Sequence, residues 1–413
     1  MSKLRSRVAV GPLRRPVPVP IPSVPAVDQL VAELRPVEPV YCIRPHVLEA
    51  TASRFVTDFP GDVLYAVKCN PEPTVLRALW RGGVRHFDCA SPGEIRLVRQ
   101  LFAEAQIHYM HPIKAAAFIR QAYFDYGVRD FSLDSVEEID KIVAATDRAA
   151  DLGLFVRLAM PKGEATYDLS GKFGASLEQS VDLLRRARTV SARLGLCFHI
   201  GSQCLDPGAY GRALDLAGRV IAEAGVVVDG IDVGGGFPVS YPEMTPPTLG
   251  RYFDAIGQGF ARLGLSNPAR LWCEPGRALV APGASLVVQV EARRGGVLYI
   301  NDGVYGNLTD AGVPKWRFPA RLIRLDGEPA GPALAAFSFY GPTCDSADFM
   351  AGPFMLPQNI GPGDWIELGQ LGAYATCLRT SFNGFDRTLI AEVSDQPLLA
   401  TPGHLDRPVC AAA

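Results

Sequence analysis

The segment DVLYAVK at residues 62–68, together with HFDCAS at residues 86–91, starts a regular alternation of strand-like and helical sequence. Short apolar runs of this kind predict buried strands, and apolar residues at three- and four-residue spacing between them predict amphipathic helices. The predicted strands are residues 62–68, 86–91, 107–112, 130–135, 152–160, 196–202, 227–236 and 270–277.

Helical sequence separates these strands. Eight strands, each before the last followed by a helix, within about 220 residues predict an α/β fold of the (β/α)8 barrel type. A doubly wound sheet would need a glycine-rich turn after the first strand, whereas this chain has CNPEP at residues 69–73. The predicted helices include residues 93–102, 114–126, 136–149, 177–193, 209–224 and 249–263.

The sequence after residue 280 is different in character, because short β-rich runs are separated there by Gly and Pro. This pattern predicts a second, C-terminal β domain, which we expect the N-terminal segment to join. The predicted division is a proline-rich arm at residues 1–25, an N-terminal segment at 26–44 that pairs with the β domain, the barrel at 45–280 and the β domain at 281–413.

Composition excludes several classes of protein. Lys and Arg number 41 and Asp and Glu 43, so a net charge of −2 offers no field that would attract nucleic acid or an anionic membrane. We find neither the roughly 20 apolar residues of a membrane span nor the apolar core of a signal peptide, so we expect a cytoplasmic protein. Nine cysteines without CxxC pairs argue against disulfides and zinc, and most are expected to be buried thiols.

Residues that carry chemistry follow the predicted barrel strands, where active sites of such barrels lie. Lys68 ends the first strand; partial desolvation there would lower its pKa and suit it to Schiff-base formation, although a surface lysine is the alternative. Gly234, Gly235 and Gly236 end the seventh strand, where backbone amides can approach a phosphate, although a flexible turn fits as well.

Two further groups complete the pattern. His199 ends the sixth strand and Glu274 the eighth. A reactive lysine, a phosphate cradle, a ring for stacking and a buried carboxylate are together the requirements of pyridoxal phosphate. No metal-ligand cluster competes with this interpretation, and we assign His108 and His111 to a strand end.

The sequence resembles the fold type III pyridoxal phosphate-dependent decarboxylases, and within them the ornithine and lysine decarboxylases. Ten segments in the family's order, from residue 65 to residue 385, carry this resemblance. They are YAVK 65–68, FDCAS 87–91, KFGA 172–175, FHIGSQ 198–203, GGG 234–236, EPGR 274–277, NDGVYG 301–306, GPTCD 341–345, GAY 372–374 and FNGF 382–385.

The resemblance implies roles for the matching residues around the cofactor. Lys68 would form the Schiff base, His199 would stack on the cofactor ring and Glu274 would pair with the ring nitrogen. Asp88 and Arg157 would lie beside the lysine and the ring. The phosphate shell would comprise Ser202, Gly235, Gly236, Arg277 and Tyr374.

The resemblance also implies a head-to-tail homodimer with shared active sites. Cys344 would return a proton to Cα after carbon dioxide leaves, and Asp345 would receive the distal ammonium of the substrate, both at the other subunit's cofactor. Tyr305 and Phe382 would line the pocket. Lys172 and Asp348 would form a pair between subunits.

One departure concerns the substrate. Members that act on ornithine usually carry a second acid where this chain has Val313 and Pro314, and we expect Asp310 to take over that task. The predicted reaction is decarboxylation of L-ornithine to putrescine in polyamine biosynthesis, with L-lysine, which would give cadaverine, as the second predicted substrate. The alternatives are a diaminopimelate decarboxylase, an amino-acid racemase and a catalytically silent regulatory homologue.

Overall fold

The N-terminal segment leads from one domain into the other. The computed structural model describes residues 21–161, 165–167, 171–265 and 269–404. Strand β1, which belongs to the predicted proline-rich arm, pairs with a strand near the C-terminus, and residues 1–20 lie outside the described residues. The elements of this segment are β1 (Ile21–Val24), α1 (Val27–Leu34), β2 (Val40–Ile43) and α2 (Pro45–Asp58).

A closed barrel of eight parallel strands forms the larger domain and confirms the predicted fold. Every predicted strand is present, but each ends earlier than predicted, because the apolar sequence continues into buried loops at the barrel mouth. The barrel strands are β3 (Asp62–Ala66), β4 (His86–Asp88), β5 (Gln106–Tyr109), β6 (Asp130–Leu133), β7 (Gly153–Arg157), β9 (Arg193–Cys197), β11 (Gly230–Asp232) and β12 (Arg270–Cys273), and a separate antiparallel pair comprises β8 (Ala165–Tyr167) and β10 (Ser202–Cys204).

Helices surround the barrel, and three of them begin at a serine whose side chain caps the helix. Ser91 and Ser135 accept hydrogen bonds from the backbone amides three residues later, and Ser176 forms a reciprocal capping box with Gln179. No helix in the described part of the chain is long and apolar enough to cross a membrane; the cytoplasmic location stays a prediction. The helices are α3 (Pro73–Arg81), α4 (Pro92–Leu101), α5 (Ala116–Phe124), α6 (Val136–Ala145), α7 (Leu177–Arg188), α8 (Gly208–Ala224), α9 (Leu249–Arg262) and α10 (Arg277–Val280).

The inside of the barrel is packed with side chains. Leu64, Met110, Phe155, Cys197 and Trp272 form one buried cluster there. Large residues from several strands therefore fill the barrel beneath its mouth, and a ligand enters only from the carboxyl ends of the strands.

A nine-stranded sheet forms the second domain. It includes β2, as expected of the N-terminal segment, and also β1 from the predicted proline-rich arm. The strand order is β1-β19-β2-β13-β14-β16-β17, with β18 paired to β13 and to β15. The sequence analysis missed β17. The elements are β13 (Ala284–Arg294), β14 (Val297–Ile300), α11 (Thr309–Gly312), β15 (Ala320–Ile323), β16 (Leu334–Tyr340), β17 (Phe349–Pro357), β18 (Trp365–Leu368) and β19 (Leu389–Val393).

The described residues include eight cysteines, and no disulfide joins any two of these eight. Six are buried, Cys377 is partly buried and Cys344 is exposed, whereas Cys410 lies outside the described residues. Cys344 thus differs from the others in having a thiol open to solvent or to a partner.

Candidate active site

A cavity of about 510 Å³ opens at the carboxyl end of the barrel strands. All ten residues that the sequence analysis assigned to cofactor binding line this one cavity. They are Lys68, Asp88, Arg157, His199, Ser202, Gly235, Gly236, Glu274, Arg277 and Tyr374.

Lys68 lies just beyond the end of β3, in a short 3-10 turn at Val67–Cys69. Its Nζ is 3.1 Å from Oδ2 of Asp88, and the lysine side chain is 43% exposed whereas that of Asp88 is 3% exposed. Burial lowers the pKa of Lys68, but the carboxylates of Asp88 and Glu274 outweigh burial and raise that pKa. The expected lowering of the Lys68 pKa is therefore wrong for the protein without a bound ligand, because nearby negative charge outweighs desolvation.

Glu274 follows β12 and is almost completely buried. Burial raises its pKa well above the usual range, and the neighbouring carboxyls of Asp232 and Asp88 raise it further. Burial also raises the pKa of Asp232 to about 6. Sequence reasoning missed Asp232, which precedes the glycine run at the end of a barrel strand. Burial and the two neighbouring acids favour a neutral Glu274, because they outweigh the positive charges of Lys68 and Arg157, which lower its pKa.

His199 is a neutral imidazole. Its Nδ1 accepts a hydrogen bond of 3.0 Å from the backbone amide of Gly201, which leaves the proton on Nε2. Burial lowers the His199 pKa well below the ordinary value, and the positive charges of Arg157 and Lys68 lower it further. An uncharged ring in the cavity wall suits stacking on a flat cofactor.

The glycine run is required by close backbone packing. A Cβ atom on Gly235 would lie 2.7 Å from the carbonyl oxygen of Glu274, and one on Gly236 would lie 2.6 Å from that of Gly201. Gly236 also has a φ of 110°. These contacts favour the cradle interpretation over a flexible turn, because only glycine fits.

Arg277 lies beside this cradle at the start of α10. Its Nη1 donates a 3.0 Å hydrogen bond to the Tyr241 hydroxyl and forms a 2.9 Å ion pair with Asp310, and its Cζ lies 4.1 Å from the ring centroid of Trp316. Its Nε is buried and has no hydrogen-bond partner in the described part of the chain. A buried donor without a partner indicates a ligand oxygen. Sequence reasoning missed Tyr241 and Trp316.

These residues fit pyridoxal phosphate. Lys68 offers an amine, Arg277 an unused donor, the glycines an open backbone and Glu274 an acid with a raised pKa. The family model described as "Pyridoxal-dependent decarboxylase, pyridoxal binding domain" matches residues 46–281.

The chain belongs to the pyridoxal-dependent decarboxylases. Its cofactor is pyridoxal phosphate.

The similar proteins differ in their stated activities. This chain is 34% identical to a lysine/ornithine decarboxylase of Selenomonas ruminantium, and the match covers 81% of this chain and 84% of the relative. Antizyme inhibitor 2 of Xenopus laevis is 32% identical over 78% of the chain and 74% of the relative. The structure of the arginine decarboxylase of Paramecium bursaria Chlorella virus bound to agmatine matches this fold with a TM-score of 0.77 and 28% sequence identity. The match covers 89% of this chain and 99% of the viral enzyme's chain. The last two support the fold and family rather than one substrate.

The remaining predicted site residues do not line the cofactor cavity of this family member. Cys344 and Asp345 line a separate surface cavity of about 560 Å³. The Tyr305 hydroxyl donates a hydrogen bond to Asp345, and the rings of Tyr305 and Phe382 lie 4.9 Å apart. One chain therefore holds the two halves of the predicted site at different places.

Asp310 and Asp348 both have polar partners within the chain. Asp310 pairs with Arg277 and does not line the cofactor cavity. Asp348 is buried and accepts hydrogen bonds from the Val304 amide and the Thr343 hydroxyl, whereas Lys172 lines the cofactor cavity. The pairing of Lys172 with Asp348 between subunits stays a prediction.

Sequence reasoning also missed His111. It follows β5, lines the cofactor cavity and contacts the Phe173 ring edge to face at 5.1 Å. Its position after a barrel strand was the signal that could have identified it.

Proposed function

We propose that this chain decarboxylates a basic L-amino acid with pyridoxal phosphate, L-ornithine ahead of L-lysine, to give putrescine or cadaverine for polyamine biosynthesis. The observation that carries the proposal is the meeting of Lys68, His199, Glu274 and Arg277 in one cavity. The name of the lysine/ornithine decarboxylase relative supports the substrate class.

Four kinds of contact would hold the cofactor. Lys68 would hold it through Nζ, His199 would stack on the ring, and Glu274 would pair with the ring nitrogen and supply it with a proton. Gly235, Gly236, Ser202, Arg277 and Tyr374 surround the phosphate group. When bound, pyridoxal phosphate accepts the electron pair left at Cα as the bond to the carboxylate carbon breaks.

The departing carboxylate leaves as carbon dioxide, and Cα then needs one proton. The Cys344 thiol would donate it to Cα, and the resulting thiolate would regain a proton from solvent. Carbon dioxide carries away the carboxylate carbon and a proton takes its place at Cα, so no external oxidant or reductant is needed.

A second copy of the chain would supply Cys344 and Asp345. Both line a cavity that shares no described lining residue with the cofactor cavity of the same chain. A head-to-tail homodimer places them opposite the partner's Lys68, and two sites arise by symmetry.

Asp345 would bind the distal ammonium of the substrate. Hydrogen bonds from the Ala347 amide and the Tyr305 hydroxyl lower the pKa of Asp345, so that it carries a charge at neutral pH. A buried ammonium needs such a carboxylate to offset its desolvation. Exposed Val313 and neighbouring Pro314 leave no acid at the second position used by family members that act on ornithine.

A carbon dioxide release assay tests the proposal across L-ornithine, L-lysine, L-arginine and diaminopimelate, with and without pyridoxal phosphate. We expect ornithine to give the highest kcat/KM and activity to require the cofactor. Lys68→Ala should abolish release and the visible absorption that the cofactor gains on binding, whereas Lys141→Ala, at a partly exposed lysine outside the cavity, should change neither.

Each other outcome has a defined meaning. A preference for arginine would overturn the ornithine assignment but keep the reaction, and activity on diaminopimelate alone would overturn the basic-substrate class. Cofactor binding without release from any substrate would favour a regulatory role like that indicated by the name of the antizyme inhibitor relative.

A further inference from the structure

Asp310 is a buried acid that the proposed reaction does not use. It belongs to the short helix α11 of the sheet domain, and its carboxylate reaches Arg277 of the barrel at 2.9 Å. The two side chains are 13% and 5% exposed. The ion pair therefore joins the two domains at the cofactor cavity, in surroundings where water screens charge poorly.

The segment that carries Asp310 also encloses the guanidinium on a second side. The Trp316 amide donates a 2.9 Å hydrogen bond to the Asp310 carbonyl, and the indole of Trp316 lies against Arg277 with Cζ 4.1 Å from the ring centroid. The ring of Tyr374 contacts the guanidinium as well, at 5.0 Å. These contacts leave the guanidinium little freedom to rotate.

Both polar anchors of the guanidinium act on the same nitrogen. The Tyr241 hydroxyl and the Asp310 carboxylate each contact Nη1, whereas buried Nε has no hydrogen-bond partner among the described residues. The edge formed by Nε and Nη2 is one of the edges through which arginine binds an oxyanion with two hydrogen bonds. Anchoring Nη1 therefore directs this edge toward a ligand.

We propose that Asp310 is a positioning residue that fixes Arg277 for the phosphate group of the cofactor, rather than an acid that binds the substrate's distal ammonium. Its charge is already compensated by Arg277, and it lies outside the lining of the cavity. The inference rests on the proposed role of Arg277 in holding phosphate.

The test compares two ligands that differ only in the phosphate group. Wild-type and Asp310→Asn apoenzymes are titrated with pyridoxal phosphate and with pyridoxal. We expect the Kd for pyridoxal phosphate to rise about tenfold in the variant, because one charge-assisted anchor of Arg277 is lost. The Kd for pyridoxal should stay unchanged, since pyridoxal does not use Arg277, and its retention shows that the barrel mouth is folded.

A matched control is Asp326→Asn, which removes a carboxylate from the exposed ion pair with Arg35 in the same chain and should change neither Kd. An unchanged Kd for pyridoxal phosphate together with a raised KM for L-ornithine would overturn the proposal and make Asp310 a substrate acid. Equal losses for both ligands would overturn it too, because they would indicate a general disturbance of the cavity.

The proposed function can fail separately. If Arg277→Gln keeps the wild-type preference for pyridoxal phosphate over pyridoxal, the proposal falls with the assignment of Arg277. Absence of carbon dioxide release from every substrate would defeat the proposed reaction, yet the two titrations would still decide the role of Asp310.

Discussion

The Nζ atom of Lys68 lies 3.1 Å from Oδ2 of Asp88, so the candidate nucleophile is one half of an ion pair. A lysine must lose its proton before it attacks a carbonyl carbon. The raised pKa of Lys68 means that this proton is held firmly until the cofactor arrives. Asp88 therefore orients the amine and delays its deprotonation.

Asp88→Asn should lower the pKa of Lys68 and shift the pH dependence of cofactor capture to lower pH. Stopped-flow absorbance between pH 6 and 9 measures the capture rate. Because folding raises the pKa of Lys68, its protonated form stabilises the folded protein fully below the unfolded pKa of about 10.4, and this stability is lost only as pH rises through the folded pKa. Changes in folding stability at Lys68 therefore do not affect the measurement between pH 6 and 9. An identical pH profile in both proteins would contradict the expectation.

Glu274→Gln should raise the thermal stability of the apoenzyme at pH 8 and lower its activity with the cofactor. Above about pH 4.3 an unfolded Glu ionises, whereas burial raises the pKa of folded Glu274, so this residue lowers stability as pH rises. We expect the variant apoenzyme to melt at a higher temperature at pH 8, and kcat to fall about 10²-fold. Glu49→Gln, in an exposed ion pair with Arg81, is the control. A lower melting temperature would refute the buried-carboxylate argument.

Mixing Lys68→Ala with Cys344→Ala should restore activity if the site is shared. Each variant alone is expected to be inactive or strongly impaired. Random exchange of subunits makes half of the dimers heterodimers, and each heterodimer has one intact site out of two. The mixture should therefore recover about a quarter of wild-type activity. Carbon dioxide release after subunit exchange measures this. No recovery, with exchange verified by differently tagged chains, would place both residues in one subunit's site.

Arg44→Ala should destabilise the sheet domain strongly. Arg44 is 1% exposed and donates to Glu367 and Asp395, each at 2.9 Å. Removing it leaves buried Glu367 with Arg321 as its remaining charged partner, so we expect a cost of about 3 kcal/mol, the lower end for a broken buried ion pair. Urea unfolding measures the loss. Arg35→Ala, at an exposed pair with Asp326, should cost less than about 1 kcal/mol, and equal costs would contradict the prediction.

The barrel and its cofactor residues were predictable from sequence for a topological reason. Parallel strands carry their carboxyl ends to one edge, so residues that follow separate strands meet without knowledge of distances. Lys68 after β3, His199 after β9 and Glu274 after β12 illustrate this. Strand ends were predicted too late, since buried loops at the mouth are as apolar as strands.

Only the tertiary structure decided the pKa shifts of the site residues and the residues with which they form ion pairs. The pKa of Lys68 depends on its distance from Asp88 and Glu274, and neither the ion pair of Asp310 with Arg277 nor the placement of Cys344 away from the cavity follows from spacing. By itself the sequence determined the fold, the family and ten residues that line one cavity. Charge interactions vary with separation and burial, which sequence order does not specify for residues on different domains.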